Sequence, residues 1–385
     1  MEIFTTVEII LLSALACCWI VQLIYYWCYL ASPYFYQRAV QKGKITLPSN
    51  QPPVSVIICA KNEARNLEQY LPSILEQDYP EYEVIFVNSG SNDDTDDVMK
   101  RLDYQYPRLY HTYIPDGTKN LGRKKLSLTV GIKAAHYDTL LFTEADCRPV
   151  GKDWIRRMAR HFTDKKSIVL GFSTLEKSSS AYAAYDYFFS DLQMVALTLK
   201  GHAYQADNRN YAYHKQHFFQ EKGFVRSNFL DAGENDLFIE DIASNKNVAV
   251  ELTPESVIQV DMNENFVWKE LKIRRMLTRR FYETFPLLFW RGEQLTRILF
   301  YLLAVAVIVA GLPDLVLPAA ALFFFLTRLY TQYFVINKTA SALNLRKFYV
   351  TLFFFDCIQV FVDGYFYLYQ RLRGKKDYNW KYEKR

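Results

Sequence analysis

YDTLLFTEADCRP, from Tyr137 to Pro149, is the stretch of sequence that decides the fold. Thr139–Thr143 is a short apolar run typical of a buried strand, and two carboxylates, Glu144 and Asp146, follow it directly. The strand fixes the backbone, so carboxylates at its end need little further ordering to hold a hard divalent cation. In isolation an acid-x-acid pair is more often a solvated loop, and the metal interpretation therefore depends on the surrounding sequence.

The sequence around this stretch alternates short apolar runs with amphipathic segments from Val54 onwards, which predicts strands that alternate with helices and form a parallel sheet. In sheets of this kind ligands bind outside the carboxyl ends of the strands. Three sets of polar residues fall at such ends: Lys61-Asn62-Glu63 after VSVIICA, Asn88-Ser89 after EVIFV, and Glu144-Asp146 after TLLFT. We therefore expect three strand ends to form one crevice.

An apolar segment without any charged residue, Ile9–Leu30, precedes this region. As a helix it would be about 33 Å long, which matches the hydrocarbon core of a bilayer, so residues 1–31 are predicted to hold a transmembrane helix. Arg38, Lys42 and Lys44 follow it, and the positive-inside rule then places the next part of the chain in the cytoplasm. Residues 32–53 are predicted to be a linker, and residues 54–262 a single α/β domain.

The C-terminal part of the chain returns to apolar segments. Residues 263–292 are rich in cations and predict an amphipathic helix on a membrane surface. Residues 293–370 contain three apolar segments, but the last of them includes Asp356, Gln359 and Asp363. We expect that last segment to be re-entrant or interfacial, followed by a cytoplasmic basic tail over residues 371–385; four full spans are the alternative.

The composition narrows the class of protein. A hydrophobic fraction of 50% with 23% charged residues excludes a disordered chain. None of the 6 cysteines forms a Cys-x-x-Cys pair, so no zinc site or disulfide framework is predicted. The basic clusters lie beside apolar segments and lack a nucleic-acid recognition motif, which favours anionic lipid as their partner and no nucleic acid.

Five motifs now occur in order: VSVIICAKNEARNL, VNSGSNDDT, GRKKLSLTVGIKAA, TEADCRP and GENDLFI. Together they resemble the membrane-bound inverting glycosyltransferases of family 2, from Val54 to about Phe281. The resemblance implies an α/β fold of the GT-A (Rossmann-like) type, with a mostly parallel sheet and flanking transmembrane helices. It also implies a nucleotide-sugar site formed by Lys61, Asn62, Glu63, Asn88, Ser91, Asp93, Lys124, Glu144 and Arg275.

The same resemblance assigns the chemistry. Glu144-Ala145-Asp146 occupies the Asp-x-Asp position of the family, so Asp146, with Glu144, is implied to hold Mg²⁺ or Mn²⁺ at the diphosphate. Asp146 is expected to be the direct ligand, and Glu144 to act through the sugar, the ribose or a metal-bound water. The sequence has Asn88-Ser89 where the family usually has Asp-Asp, so the nucleobase of the donor is not determined.

The acceptor side is implied to lie at GENDLFI and at Asn210. A carboxylate must take the proton from the acceptor hydroxyl during attack on the anomeric carbon. Asn235 stands where a strict Glu-Asp pair would have its base, so Asp236 is the preferred base and Glu234 the second choice. The alternative is that these acids only cap a helix. Of the processive motif Gln-x-x-Arg-Trp only Arg275 is present, which favours transfer of single sugars.

The sequence therefore predicts an integral membrane enzyme with a cytoplasmic catalytic domain, and the resemblance implies a bacterial inner membrane. It would transfer a sugar from a nucleotide-diphosphate sugar to a lipid or lipid-linked saccharide with inversion. Two alternatives remain at this point: a processive polysaccharide synthase and a catalytically inactive membrane scaffold.

Overall fold

A computed structural model describes residues 5–114, 123–176, 180–230, 232–261, 265–312 and 315–372. The predicted basic tail from Arg373 onwards and the Pro313-Asp314 turn lie outside the described residues. The chain divides into two compact units, one formed by Met1–Arg38 with Glu283–Tyr365 and the other by Ala39–Tyr282 with Phe366–Arg385.

The second unit contains two sheets. Their strands are β1 (Val54–Ala60), β2 (Tyr82–Asn88), β3 (Leu109–Tyr113), β4 (Thr139–Thr143), β5 (Cys147–Pro149), β6 (Ile168–Leu170), β7 (Ser173–Leu175), β8 (Tyr211–His214), β9 (Val248–Val250) and β10 (Ile258–Val260). The main sheet has seven strands in the order β3-β2-β1-β4-β8-β6-β9, and the small sheet has the order β5-β10-β7. Strands β1 to β4 are parallel, as predicted, and β8 joins β4 in antiparallel register.

The helices, in chain order, are α1 (Thr6–Ile24), α2 (Ser32–Gln41), α3 (Ala64–Leu75), α4 (Thr95–Gln105), α5 (Arg123–Ala134), α6 (Trp154–Ala159), α7 (Ala181–Thr198), α8 (Lys215–Gln220), α9 (Asp236–Ile242), α10 (Asn265–Arg279), α11 (Thr284–Ala310), α12 (Val316–Ala342) and α13 (Thr351–Leu372). A π-helical stretch, Tyr25–Leu30, continues α1.

The central strands are buried because helices cover both faces of the sheet. Every residue of β1 and of β4 is buried, which explains why both strands are continuous apolar runs rather than alternating ones. Phe142 of β4 stacks on Tyr211 and Tyr213 of β8 with ring centroids 4.7 Å apart in both cases. These contacts fix the register between β4 and β8, and so the position of the residues that follow β4.

Two predicted boundaries differ from the structure. Residues 32–53, predicted as a linker, begin with helix α2; its Pro33 lies in the first turn, where a missing N–H costs no helical hydrogen bond. Residues 263–292, predicted as one interfacial helix, are divided between α10 and α11. The chain breaks there because Tyr282 turns inward and is buried, and α11 restarts with Pro286 in its first turn.

Four helical segments of the described chain are long and apolar enough to cross a membrane: Thr6–Gln41, Thr284–Ala310, Val316–Ala342 and Thr351–Leu372. The first three pack around Leu15, Phe300, Ala304, Leu317 and Ala321. Leu302 and Val305 of α11 are exposed, as side chains that face lipid would be.

Candidate active site

The loops after β1 and β2 are tied together by hydrogen bonds. The Asn62 N–H donates to Ser91 Oγ at 2.9 Å, and the Asn92 N–H donates to Asn62 Oδ1 at 2.8 Å. Asn62 has a φ of 56°, a left-handed conformation that asparagine tolerates better than most residues. The Ser91 N–H in turn donates to Asn88 Oδ1 at 3.0 Å. Three of the predicted nucleotide residues, Asn62, Asn88 and Ser91, therefore lie together.

Asp93 links the same two loops. Its Oδ2 accepts the Ala64 N–H at 3.2 Å, and its Oδ1 accepts the N–H and the hydroxyl of Thr95 at 3.2 and 2.6 Å. Thr95 also accepts the Glu63 N–H at 3.0 Å. Asp93 thus stabilises the start of α4 and holds the loop after β1 in place, while the neighbouring Lys61 is buried at the end of β1.

The carboxylates after β4 are buried and paired with cations. Glu144 lies 2.7 Å from the Lys124 ammonium and 3.2 Å from the Arg209 guanidinium, and Asp146 lies 3.0 Å from the same guanidinium. The Cys147 thiol donates to Asp146 at 3.2 Å. Lys124 reaches this point from the first turn of α5. These two acids are therefore not a solvated loop.

Arg209, which contacts both carboxylates, was not among the predicted site residues, whereas its neighbour Asn210 was predicted to lie on the acceptor side. Asn210 is completely buried: its carbonyl oxygen accepts the Trp154 indole N–H at 3.0 Å, and its amide donates to the carbonyl oxygens of Phe172 and Ser256, each at 2.9 Å. It holds interior loops together. The two residues lie in the turn before β8, and their side chains have different partners: Arg209 contacts the carboxylates, and Asn210 contacts the interior loops.

Glu234 joins this network from the acceptor-side motif. Its Oε1 lies 3.2 Å from the Lys124 ammonium and 3.1 Å from Arg274 of α10, so a single lysine bridges Glu234 and Glu144. Burial alone would raise the pKa of Glu234, but Lys124 and Arg274 outweigh it, and the net pKa lies below the usual value. Glu234 is therefore held ionised and is a weak proton acceptor.

Asp236, the first residue of α9, has a different environment. Its Oδ2 accepts the hydroxyls of Thr278 and Tyr282, the latter at 2.9 Å, and its Oδ1 accepts the Leu237 N–H at 2.9 Å. Burial raises the pKa of Asp236 despite these hydrogen bonds, and the charge of Glu234 raises it further. The two acidic residues of the motif are thus separated in proton affinity, with Asp236 the stronger base. Nothing in the sequence indicated Thr278 or Tyr282.

The cations of α10 turn toward carboxylates of the domain. Arg275 lies 3.4 Å from Asp191 of α7 and 3.8 Å from Asp207. Burial, together with the charge of Asp207, raises the pKa of Asp191 well above its usual value. Arg275 therefore fastens α10 to α7 as well as bordering the crevice. Asn235 donates its amide to the Ala206 carbonyl at 2.5 Å, which agrees with its exclusion as a base.

A narrow crevice of about 30 Å³ lies between these groups. It is lined by Gln205, Ala206, Asn208, Arg209, Ala232, Gly233, Glu234, Asn235, Asp236, Leu271, Arg274, Arg275 and Thr278. Three buried polar atoms of its lining have no hydrogen-bond partner in the described part of the chain: Asn208 Oδ1, Arg209 Nε and Glu234 Oε2. Buried polar groups are normally satisfied, so these atoms indicate a site for a polar ligand.

The donor set fits a divalent cation that is shared with a ligand. Among the described residues, no group of three His, Cys, Asp or Glu side chains could hold a metal by itself. Asp146 and Glu144 supply two carboxylates, and Mg²⁺ is commonly bound by one or two carboxylates together with phosphate oxygens of a substrate. Lys124 and Arg209 are the cations that phosphate oxygens would meet.

The fold and these loops define the class of protein to which the domain is similar. The domain has a GT-A fold. A similar solved structure is the mannosyltransferase PcManGT from Pyrobaculum calidifontis, in complex with GDP-Man and Mn²⁺. It superimposes with a TM-score of 0.57 at 19% identity, over 94% of this chain and 99% of that one. Residues 55–231 match the family model Glycosyl transferase family 2. This part of the chain is thus similar to the glycosyltransferases of family 2.

The chain also matches known proteins by sequence, two of which are described here. Poly-beta-1,6-N-acetyl-D-glucosamine synthase of Staphylococcus epidermidis is 28% identical over 128 residues, which is 33% of this chain and 29% of that protein. Glycosyltransferase AglE of Haloferax volcanii is 32% identical over 113 residues, 29% of this chain and 36% of that protein. The matches thus span about a third of each relative's length.

Proposed function

We propose that the protein transfers a single sugar from a nucleotide-diphosphate sugar to a hydroxyl group of a lipid or lipid-linked saccharide, with inversion at the anomeric carbon. The observation that carries this proposal is a buried carboxylate, Asp236, whose pKa is raised by burial and which lies in a crevice lined by cations. The setting we propose is the cytoplasmic face of a membrane, which the apolar helices and the cations after Leu30 support. That this is a bacterial inner membrane is what the family resemblance implies.

The proposal of inversion is supported by the two acids of the acceptor-side motif. A single displacement needs one base on the acceptor side, whereas retention through a covalent intermediate needs a second carboxylate as nucleophile. Asp236 has the raised proton affinity that a base requires, and it takes the proton from the acceptor hydroxyl as that oxygen attacks. Glu234 is held by Lys124 and Arg274 and has a lowered pKa, so its part is to position the two cations.

Asp146 and Glu144 would hold the divalent cation, Mg²⁺ or Mn²⁺, with Asp146 as the direct ligand. When bound, the cation neutralises charge on the diphosphate leaving group. Lys124 and Arg209 orient the phosphates, and the loops bridged by Asn62, Asn88, Ser91 and Asp93 hold the nucleoside. Because the PcManGT complex contains GDP-Man and Mn²⁺, these two ligands are the first to test together with this protein.

The processive alternative is less well supported by this chain. The segment that corresponds to Gln-x-x-Arg-Trp is Lys272-Ile273-Arg274-Arg275-Met276. Lys272 is bound to Asp186, and Arg275 to Asp191, so both side chains are used in packing α10 on α7. Product sizing separates the two activities: we expect one added sugar per acceptor, not a ladder.

The test is transfer of radiolabelled sugar by membranes that contain the full chain. We expect Asp236→Asn to lose at least a hundredfold in rate, because general-base catalysis contributes about 10² to 10⁴. Asp241→Asn, on the same helix α9, is the matched control and should retain activity. Donor binding that persists in the Asp236→Asn variant would separate loss of chemistry from loss of folding. Equal activity of both variants would refute the assignment, and donor binding without turnover in the unmodified protein would favour the scaffold alternative.

A further inference from the structure

A second cavity, of about 420 Å³, lies between helix α5 and the segment that follows β8. It shares no described lining residue with the crevice of the candidate active site. Its lining consists of Thr129, Lys133, Phe218, Phe219, Lys222, Gly223, Phe224, Val225 and Asn228. Pockets for small molecules usually enclose about 300 to 1,000 Å³ and are lined mainly by apolar side chains with a few polar groups. We call this cavity the α5 groove, and its size and lining are those of a ligand site.

The floor of the α5 groove is aromatic. Phe218 and Phe224 are buried, with ring centroids 5.3 Å apart, and both belong to the hydrophobic core of the domain. Phe219 and Val225 also line the groove but are 52% and 64% exposed. An apolar ligand in the groove would remove part of this exposed surface from water, which is the main source of affinity in such pockets.

The charged groups of the lining are cations. Lys133 and Lys222 are exposed, and neither forms an ion pair within the described part of the chain. Lys215 adds a third positive charge nearby, with its ammonium 5.9 Å from the centre of the Phe219 ring. None of the described lining residues is acidic, and Glu221, the acid next to Lys222 in sequence, is not among them. The charge of the groove is therefore complementary to an anion.

The backbone turn at Lys222 and Gly223 shapes the groove. Their φ angles are 56° and 73°, so two consecutive left-handed residues turn the chain and bring Phe224 back onto Phe218. A Cβ at Gly223 would lie 3.0 Å from the Phe218 ring, so this position requires glycine. Glycine would also suit position 222 without strain, whereas a lysine there costs stability. Residues held in strained conformations are typical of functional sites, which points to a use for the Lys222 ammonium.

The lining favours an alkyl chain over a peptide. The Thr129 hydroxyl donates to the Lys125 carbonyl at 2.7 Å, which leaves Asn228 as the other uncharged polar side chain of the described lining. A peptide in the groove would bury backbone N–H and C=O groups that need partners, whereas an alkyl chain has none. If a methylene takes about the 30 Å³ of a liquid water molecule, the groove holds roughly fourteen of them, which is a single chain.

We propose that the α5 groove binds a single-chain anionic amphiphile of the fatty-acid class. Its alkyl chain lies on Phe218, Phe219 and Phe224, and its carboxylate pairs with Lys133 and Lys222. Helix α5 and the far side of the groove are already joined, because the Lys125 ammonium donates to the carbonyl oxygens of Ser227 and Leu230. The two walls are thus held in place before the ligand binds. This site is separate from the candidate active site, and the inference is independent of the proposed function.

The test is photolabelling of the full chain in phosphatidylcholine nanodiscs. The probe is myristic acid with a diazirine at the end of its chain, and labelled peptides are identified by mass spectrometry. Lys133→Met combined with Lys222→Gly is the test variant, in which glycine suits the left-handed backbone and keeps the fold. Lys165→Met combined with Lys246→Met is the matched control, because both lysines are exposed and do not line the groove. Phosphatidylglycerol that carries the same diazirine chain tests whether a membrane lipid is the source.

We expect the myristate probe to label residues 215–228 in the unmodified protein and in the control. Labelling should fall by about tenfold in the test variant, because each exposed ion pair contributes up to about a factor of five. The unfolding temperature of that variant should not fall. Excess myristate should compete with the probe, and myristyl alcohol, which lacks the charge, should compete poorly.

Three results would overturn the proposal. The first is that residues 215–228 of the unmodified protein are not labelled, or are labelled equally in the test variant. The second is that myristyl alcohol competes as well as myristate, which would show that the lysines do not recognise the head group. The third is that phosphatidylglycerol labels this segment as strongly as the fatty acid does, which would identify a two-chain membrane lipid as the occupant.

Discussion

Removing the Tyr282 hydroxyl tests whether Asp236 is the base. The Tyr282→Phe substitution deletes one of the two hydroxyl donors on Asp236 Oδ2 and leaves the ring in place. Hydrogen bonds to charged groups contribute about 1.5 to 3 kcal/mol, and one pKa unit corresponds to about 1.4 kcal/mol. Because the Thr278 hydroxyl remains on the same oxygen, we take the lower end of that range and expect the pKa of Asp236 to rise by about one unit.

The sign of the effect on activity follows from the role of the base. Asp236 must be ionised to accept a proton, so kcat/KM falls as the pH drops through its pKa. A higher pKa moves this acid limb to higher pH, while the rate on the high-pH plateau changes little. The assay is the pH profile of kcat/KM for sugar transfer by the variant and the unmodified protein.

Tyr106→Phe is the matched control, because the Tyr106 hydroxyl also donates to a carboxylate, Glu76, at 2.9 Å, but at the surface. Its profile should coincide with that of the unmodified protein. An acid limb of Tyr282→Phe that stays in place or moves to lower pH would refute the assignment of Asp236.

Three further predictions concern the crevice and its supports. Arg209→Gln leaves two buried carboxylates without their guanidinium and should destabilise the protein by about 3 to 5 kcal/mol, measured by denaturation in detergent, with partial rescue by Mn²⁺. Asp146→Asn should abolish the Mn²⁺-dependent part of the thermal shift caused by the donor, and a persisting shift would contradict its role as a metal ligand. Gly171→Ala would place a Cβ 2.5 Å from the side chain of Asn210 and should cost about 1 to 3 kcal/mol, whereas Gly151→Ala, with its nearest atom at 3.6 Å, should cost little.

The parallel half of the sheet and the meeting of its strand ends were predictable from sequence. Apolar runs buried on both faces and the short polar loops after them are local patterns, and they predict parallel strands whose carboxyl ends lie at one edge of the sheet. Lys124, Glu144 and Asp146 all lie at those loops or at a helix start beside them. The sequence could not show that Arg209 contacts the carboxylates while Asn210 is buried among interior loops, because both lie in the turn before β8 and their partners are distant in sequence.

The role of α10 was the least predictable part of the site. Its many cations fit a membrane surface, yet Lys272, Arg274 and Arg275 pair with buried carboxylates of the domain. Charge composition does not identify the partner of a cation when that partner lies far away in sequence. Tyr282 reaches Asp236 across 46 positions of the chain, and only the tertiary fold brings such residues together.

Charge balance in the crevice leads to the last prediction. Ion pairs join three cations and three carboxylates into one buried network: Lys124, Arg209, Arg274, Glu144, Asp146 and Glu234. A divalent cation alone would add two positive charges to this neutral network, and a nucleotide-diphosphate sugar alone would add about two negative ones; unpaired buried charge costs several kcal/mol. When both are bound, the divalent cation pairs with the carboxylates and the diphosphate pairs with the basic side chains, so the network stays neutral. We therefore expect the thermal shift produced by GDP-mannose with Mn²⁺ to exceed the sum of the separate shifts. Purely additive shifts would show that the network does not couple the two sites.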